Sequence, residues 1–434
     1  MLRTLFEGHR LMTTVISPSF KQFDVILVAP NVSEQMGGEA IKALQIYLEL
    51  ERQRVSVHQI THERVKEELD QKFPQMSVSY VPDTRLEKML YRGKLFEQLL
   101  NMVFLHAAVK RVKELLKDQP HAVVHFTSPV SPILQYPPLS NAHVVIGPIN
   151  GNIHYPPAFR HRETLAYKIR RWLHPVVQFL HRISFSGQRK ADVLFVAGGL
   201  RTRESLRMAG CSEEQFVDSI DSGVLDRLYN LPRITHVGSN LRFFHNGRLV
   251  AHKGTDLIIQ SLSKTKNRIE LDIIGRGPEL ARLKKLTSIL SLQDRVKFIE
   301  WVPDHSRLAE MLRQYRAFVF PSLAEANGIV VQEAMVQGLP VIACNWGGPA
   351  LLVTPETGIL IDPLSEEHVI NELAVAMDRL AEDGELSEQM SVNARERALS
   401  NGYLWSGVIR NWRSVYANIT SKYDGRVLHD GTRN

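Results

Sequence analysis

Residues 318–348 read FVFPSLAEANGIVVQEAMVQGLPVIACNWGG. The apolar run AFVFPS (317–322) has the length of a buried strand and ends in a short polar loop carrying Glu325. A helical pattern follows over 328–337 and carries Glu333. Gly338 and then Pro340 are the stop signals for that helix, and VIAC (341–344) begins a second strand. Strand, helix and strand at this spacing form the repeating unit of a parallel sheet.

The same unit recurs on both sides of this stretch. FFHNGRLV (243–250) precedes a helix after Gly254. LDIIG (271–275) precedes PELARLKKL, and VKFIEWV (296–302) adds another strand. In the first half DVILVAP (24–30) runs into the polar, glycine-bearing NVSEQMGG (31–38) and a helix over 39–52. RVSVHQI (54–60), HAVVHFT (121–127) and HVVIGP (143–148) are further strands, and 86–117 is a long amphipathic pattern. The alternation predicts an α/β fold of two doubly wound, Rossmann-like halves joined around 190–237. The boundaries follow as a tail over 1–20, a first domain over 21–195, a second over 196–400, and a last segment over 401–434. Ligands of such sheets bind outside the carboxyl ends of strands, so the loops after strands are where chemistry is sought.

The chain has 434 residues, 44% hydrophobic and 23% charged, which suits folded domains and excludes a disordered or fibrous chain. Two cysteines, Cys211 and Cys344, are too few for a disulfide framework or a cysteine-rich zinc site and favour a reducing, cytoplasmic setting. No apolar run approaches the roughly 18 residues of a membrane span, and MLRTLFEGHRLMTTVISPSF reads as a tail rather than a signal peptide. The net charge of +7 is uneven: residues 1–195 carry 25 Lys+Arg against 17 Asp+Glu, the remainder 28 against 29. An anionic partner should therefore meet the first half. No zinc-finger, RNP or helix-turn-helix signature is present, so nucleic acid is not that partner.

Three loops carry the chemistry. In the first, Glu325 and Glu333 stand eight residues apart, a helical span of roughly 12 Å, too far for the carboxyl pair of a glycosidase. A ligand laid along the helix start fits better, with both carboxylates accepting from hydroxyls and the free amides near Asn327 and Val330 facing an anion. A solvated loop Glu beside a surface helix Glu is the plain alternative. In the second loop, GRLVAHKGTDLII (247–259), Arg248 and Lys253 lie before a helix and suit a diphosphate. The third, LDIIGRGPEL (271–280), places Gly275 and Gly277 after a strand, but Leu280 stands where a dinucleotide fingerprint wants Gly or Ala.

Together these motifs, in this order, resemble the retaining family-4, or group 1, glycosyltransferases of the GT-B fold. The resemblance is strong from Gly247 to about Pro363 and loose in the first half; WVP (301–303) is part of it. It implies two domains facing a cleft, an acceptor domain first, a nucleotide-sugar domain second, and a C-terminal helix packing back on the first. It implies that Glu333 holds ribose hydroxyls and that Glu325 contacts the donor sugar. The backbone of Asn327, Gly328 and Ile329 would bind hydroxyls and phosphate, Arg248 and Lys253 would clamp the diphosphate, and backbone near Val302 would meet the base, with Gly277 also on the donor side. The donor would be a UDP- or GDP-sugar, the acceptor a glycan or lipid-linked intermediate, and no metal or other cofactor is expected. Gly37 and Gly38 fit the family's acceptor-side glycine loop. Asn150 departs from the pattern, because many relatives have a His there; His125 and His154 are nearby substitutes. Leu351 stands where relatives often have Glu after the double glycine. A GT-B-like binding or scaffold protein without turnover is the alternative reading.

One segment lies outside these motifs. RHRETLAYKIRRWLHPVVQFLHRISFSGQRK (160–190) holds eight Lys+Arg and one Glu. Leu165, Ile169, Trp172, Val176, Leu180 and Ile183 form an apolar stripe with cations on the other face, and Pro175 should kink or divide the helix. The stripe fits either an anionic membrane surface, making the enzyme peripheral on the inner face of the cytoplasmic membrane, or an ordinary core.

Overall fold

The structure is a computed structural model; it describes residues 24–83, 97–184, 187–300, 302 and 305–430. The tail 1–20 lies outside the described residues, as does the start of the 86–117 pattern, whose described part is the helix Glu97–Asp118.

Thirteen parallel strands form two sheets among the described residues. The first holds β1 (Asp24–Val28), β2 (Ser56–His62), β3 (Val78–Val81), β4 (Val123–Phe126), β5 (His143–Ile149), β6 (Val193–Val196) and β7 (Phe216–Asp218), in the order 3-2-1-4-5-6-7. The second holds β8 (Arg242–Asn246), β9 (Glu270–Ile274), β10 (Val296–Ile299), β11 (Ala317–Phe320), β12 (Val341–Cys344) and β13 (Gly358–Ile361), in the order 10-9-8-11-12-13. The winding direction reverses between β1 and β4, and again between β8 and β11, where Ala317 pairs with Phe243 and Phe318 with Phe244. Each reversal opens a crevice at the carboxyl ends of its two strands.

The helices that position the site are α1 (Gly38–Arg52), α2 (Leu165–Ser184), α3 (Gly199–Met208), α4 (Ile329–Gln337) and α5 (Trp405–Asp430). The expected boundary at 195 is corrected, because β6 and β7 pair in register with β5 and carry the first sheet to Asp218. The last helix returns to that sheet. Trp405, Ile409, Trp412 and Tyr416 are buried with Val25, Leu27, Leu44 and Phe195 in one core. Trp412 stacks on Phe195 at 5.1 Å and its indole N–H donates to Ser219 Oγ at 2.8 Å. The two halves also interlock through residues 153–162. Tyr155 and Phe159 are buried in the core of the second sheet, beside Leu257 and Ile258. Arg162 donates to Asp256 at 3.0 Å and to Glu366 at 2.6 Å, and Trp346 Nε1 donates to the His154 carbonyl at 2.7 Å.

Helix α2 is continuous across Pro175, which does not divide it. Its apolar stripe faces outward: Trp172 is 76% exposed, Leu165 72%, Ile183 64% and Phe179 61%. The cations do not oppose the stripe but flank it, with Lys168, Arg170 and Arg182 exposed. The inward face is polar. Gln178 and His181 are buried, and Gln178 Nε2 donates to Ser205 Oγ at 2.5 Å and to the Pro132 carbonyl at 3.2 Å. His174 Nε2 also meets Ser205 Oγ, at 2.9 Å. A core-facing helix would show the opposite arrangement. The core reading of this segment is therefore overturned.

A candidate donor site at the β8–β11 crevice

The loops after β8 and β11 converge because their strands are neighbours. Lys253 ends a short helical turn (Ala251–Lys253) beyond β8 and pairs with Glu325 from the loop beyond β11, so the crevice closes on one ion pair. Phe320 supplies an aromatic floor, 4.9 Å below the Lys253 ammonium. Gly254, at φ 67°, lets the chain turn directly into the next helix; a Cβ there would lie 2.3 Å from the Pro321 carbonyl. Arg248 is exposed on the same loop, and its guanidinium has no ion-pair partner among the described residues.

Gly275 and Gly277 brace that loop. A Cβ on Gly275 would lie 2.0 Å from the Gly247 carbonyl, and one on Gly277 2.1 Å from that of Leu249. The Leu249 amide donates to the Arg276 carbonyl at 2.8 Å. The two glycines therefore let the backbone that carries Arg248 pack directly on the neighbouring turn, and this is what the structure shows Gly277 doing.

Helix α4 begins at the crevice. Gly328 caps it in the left-handed conformation, φ 84° and ψ 48°, so the first amides of α4, beginning at Ile329, lie beside Glu325 and Asn327. Glu333 sits one turn in, half-buried, in a small cavity with Asn246, Leu308 and Val330. Val302 packs on the same cluster. Burial, with no counter-charge, pushes the Glu333 carboxyl up to about 7. A carboxyl so placed can accept hydrogen bonds from hydroxyls once it gives up its proton.

The first sheet faces this crevice. Gly37, at φ 99°, and Gly38 open onto free space, where a Cβ meets nothing within 4 Å. Asn150, just after β5, is buried, and its Nδ2 has no hydrogen-bond partner among the described residues. A cavity of about 350 Å³ lies between the halves, bounded by Gly199 and Asp221 on one side and Ala326, Asn327 and Gly348 on the other. Leu351 reaches across to within 3.2 Å of where a Gly199 Cβ would stand. His125 is no substitute at this site. Its Nε2 donates to the Gly147 carbonyl at 2.9 Å, Tyr416 donates to Nδ1 at 2.6 Å, and burial pushes its pKa down to about 3. His154 bonds Asn152 at 2.7 Å and has its pKa lowered by burial and by His174.

Two features escaped the sequence reading. Lys42, buried on α1, pairs with Glu39 at 2.9 Å and with Asp221 at 3.4 Å just behind the glycine loop. Arg201, in the first turn of α3, reaches the Glu325 loop from the first domain. The double glycine 198–199 after an apolar run was the signal that a strand had ended there.

Residues 233–397 match the family model described as Glycosyl transferases group 1. The chain is 33% identical to an uncharacterized glycosyltransferase of Haemophilus influenzae over 39% of this chain and 47% of that one. It is 30% identical to a GDP-mannose-dependent alpha-(1-6)-phosphatidylinositol monomannoside mannosyltransferase of Mycolicibacterium smegmatis over 41% and 46%. The match thus spans less than half the length of these relatives. In three dimensions the chain resembles Anabaena HepE, solved with UDP and glucose, with a TM-score of 0.58 at 16% identity over 91% of this chain and 100% of that one. The segment 233–397 thus matches the group 1 glycosyl transferases, and it is carried in a two-sheet GT-B fold.

Proposed function

We propose that this chain transfers a sugar from a UDP- or GDP-sugar to a hydroxyl acceptor, with retention of anomeric configuration. The observation that carries the proposal is the Lys253–Glu325 pair at the β8–β11 crevice, one turn from the half-buried Glu333, inside the segment that matches the family. Breaking the anomeric bond leaves negative charge on the diphosphate. Arg248, Lys253 and the amides at the start of α4 are the groups that stabilise it, and in this reading no metal is required. An arriving diphosphate gives the Lys253 ammonium a second anion, which frees Glu325 to accept from sugar hydroxyls. Glu333 takes the ribose hydroxyls, the backbone of Asn327, Gly328 and Ile329 the sugar and phosphate oxygens, and the backbone near Val302 the base. The acceptor enters from the side of Gly37, Gly38 and Asn150. UDP is the nucleotide in the HepE structure and GDP-mannose the donor in the mycobacterial relative's name; both bases stay within the proposal.

The acceptor is a lipid-linked or polysaccharide intermediate, and the protein works as a peripheral protein on the inner, cytoplasmic face of a membrane. Helix α2 supports this, with an exposed apolar stripe, flanking cations and a hydrogen-bonded polar face turned inward. Among the described residues no helix is long and apolar enough to cross a membrane. A fold that binds nucleotide without turnover is the second reading, favoured by Asn150 in place of the expected His.

Three outcomes test this. Glu325→Gln and Lys253→Ala should each lower nucleotide release from UDP-glucose or GDP-mannose by on the order of 100-fold. Full turnover in both would remove the assigned roles, and nucleotide binding without release by the unmodified protein would favour the second reading.

Glu333 makes a pH prediction. Its folded pKa of about 7 lies above the ordinary carboxyl value of 4.5, so the folded state holds the proton more tightly than the unfolded state. Stability should therefore fall as pH rises from about 4.5 to 7, by up to about 3 kcal/mol, and Glu333→Gln should abolish that fall in urea titrations. Nucleotide affinity should rise over pH 6–8 in the unmodified protein and stay flat in the variant.

The membrane proposal predicts co-sedimentation with phosphatidylglycerol vesicles, weakened by salt and lost in Trp172→Glu/Phe179→Glu. A protein that stays in the supernatant, or a variant that still sediments, would return α2 to plain surface.

A further inference from the structure

Among the described residues, Arg201 is the side chain that hydrogen-bonds both the first sheet's loops and the loop bearing Glu325. Its Nη2 donates to the Ala326 carbonyl at 2.7 Å, and also to Asn150 Oδ1 at 3.0 Å, while Nε donates to the Gly151 carbonyl at 3.2 Å. The root of this bridge is fixed. Thr202 Oγ1 donates to the Gly151 carbonyl at 3.1 Å, Asn152 Nδ2 donates to the Arg201 carbonyl at 3.0 Å, and Ser205, one turn on, is held by Gln178 of α2. Residues 150–152 and the first turn of α3 thus form one bracket, from which a planar, donor-only guanidinium reaches the residue after Glu325. Burial lowers the Arg201 pKa, and the nearby Glu325 and Asp221 carboxylates oppose that shift, as expected for a cation facing the crevice's acids.

We infer that Arg201 is a positioning residue. It clamps the Glu325 loop to the first domain and sets the distance between the donor site and the acceptor side. The same contact orients Asn150. A guanidinium cannot accept, so Oδ1 must face Arg201, which turns the amide's N–H donors away with no acceptor to meet them among the described residues. That buried, unpaired donor is available to an oxygen of a sugar or phosphate in the crevice. Loss of the clamp leaves the nucleotide's own contacts on Arg248, Lys253 and Glu333 intact but lets the reacting groups drift, and a misplacement of about 1 Å can cost on the order of 100-fold in rate.

This inference rests on the glycosyltransferase reading, so the experiment separates the two. UDP and GDP are titrated calorimetrically into the full-length protein, Arg201→Gln and Arg201→Lys. Turnover is then measured with UDP-glucose or GDP-mannose according to which nucleotide binds. Nucleotide Kd should stay within about twofold in both variants, while kcat falls roughly 10- to 100-fold in Arg201→Gln and recovers in part in Arg201→Lys. A variant with unchanged kcat, even one with a lowered melting temperature, would show the contact to be structural only and overturn the inference while leaving the function in place. Failure of the unmodified protein to bind either nucleotide would remove the glycosyltransferase reading and this inference with it. Should Arg201→Gln fail to fold, Arg201→Lys decides by the same readouts: kcat lowered with Kd kept supports the clamp, and unchanged kcat overturns it.

Discussion

The adjacency of β8 and β11 is the constraint on which the rest of the site depends. Two parallel strands 74 residues apart, paired at Ala317↔Phe243 and Phe318↔Phe244, launch their loops from the same edge in opposite winding directions. The loops cannot diverge, so Lys253 and Glu325 meet although 72 residues separate them. Phe320 below, Gly254 behind and the capped start of α4 beside them follow from that one pairing. In such a crevice an ion pair is also a latch. In the proposed function each partner turns to a phosphorylated ligand when one arrives, and the pair keeps two charges matched until then.

The second sheet was largely legible in the sequence because its motifs are local. FVFPS, the loop, the α4 pattern and the Gly338 stop each signal their own element, and all of them stand where the reading placed them. The first sheet was less legible at its end. VLFV (193–196) and FVD (216–218) are too short to show periodicity, and a boundary drawn on composition cut through them. The roles of Gly275 and Gly277 were only half visible: glycines after a strand suggest a close approach, but only the fold shows that Gly247 and Leu249 are what approaches.

Helix α2 shows a different limit. Its stripe from Leu165 to Ile183 was plain, yet periodicity alone gives an apolar face and not the side of the helix on which the protein lies. Buried Gln178 and His181, bonded or packed inward, decide that the apolar face is the outer one. Arg201 was invisible for a third reason: its partners at Asn150, Gly151 and Ala326 are assembled only when the two halves close. These features connect physically. The polar inner face of α2 holds Ser205 on α3, α3 carries Arg201, and Arg201 holds the loop of Glu325.

In the proposed function Lys253 exchanges its Glu325 partner for the phosphate of a nucleoside diphosphate. Calorimetric titration of UDP against UMP, and of GDP against GMP, into the unmodified protein and Lys253→Ala tests this most directly. The diphosphate of the recognised base should bind the unmodified protein at least tenfold more tightly than its monophosphate, with that preference largely lost in Lys253→Ala. An equal preference in both proteins would contradict the account.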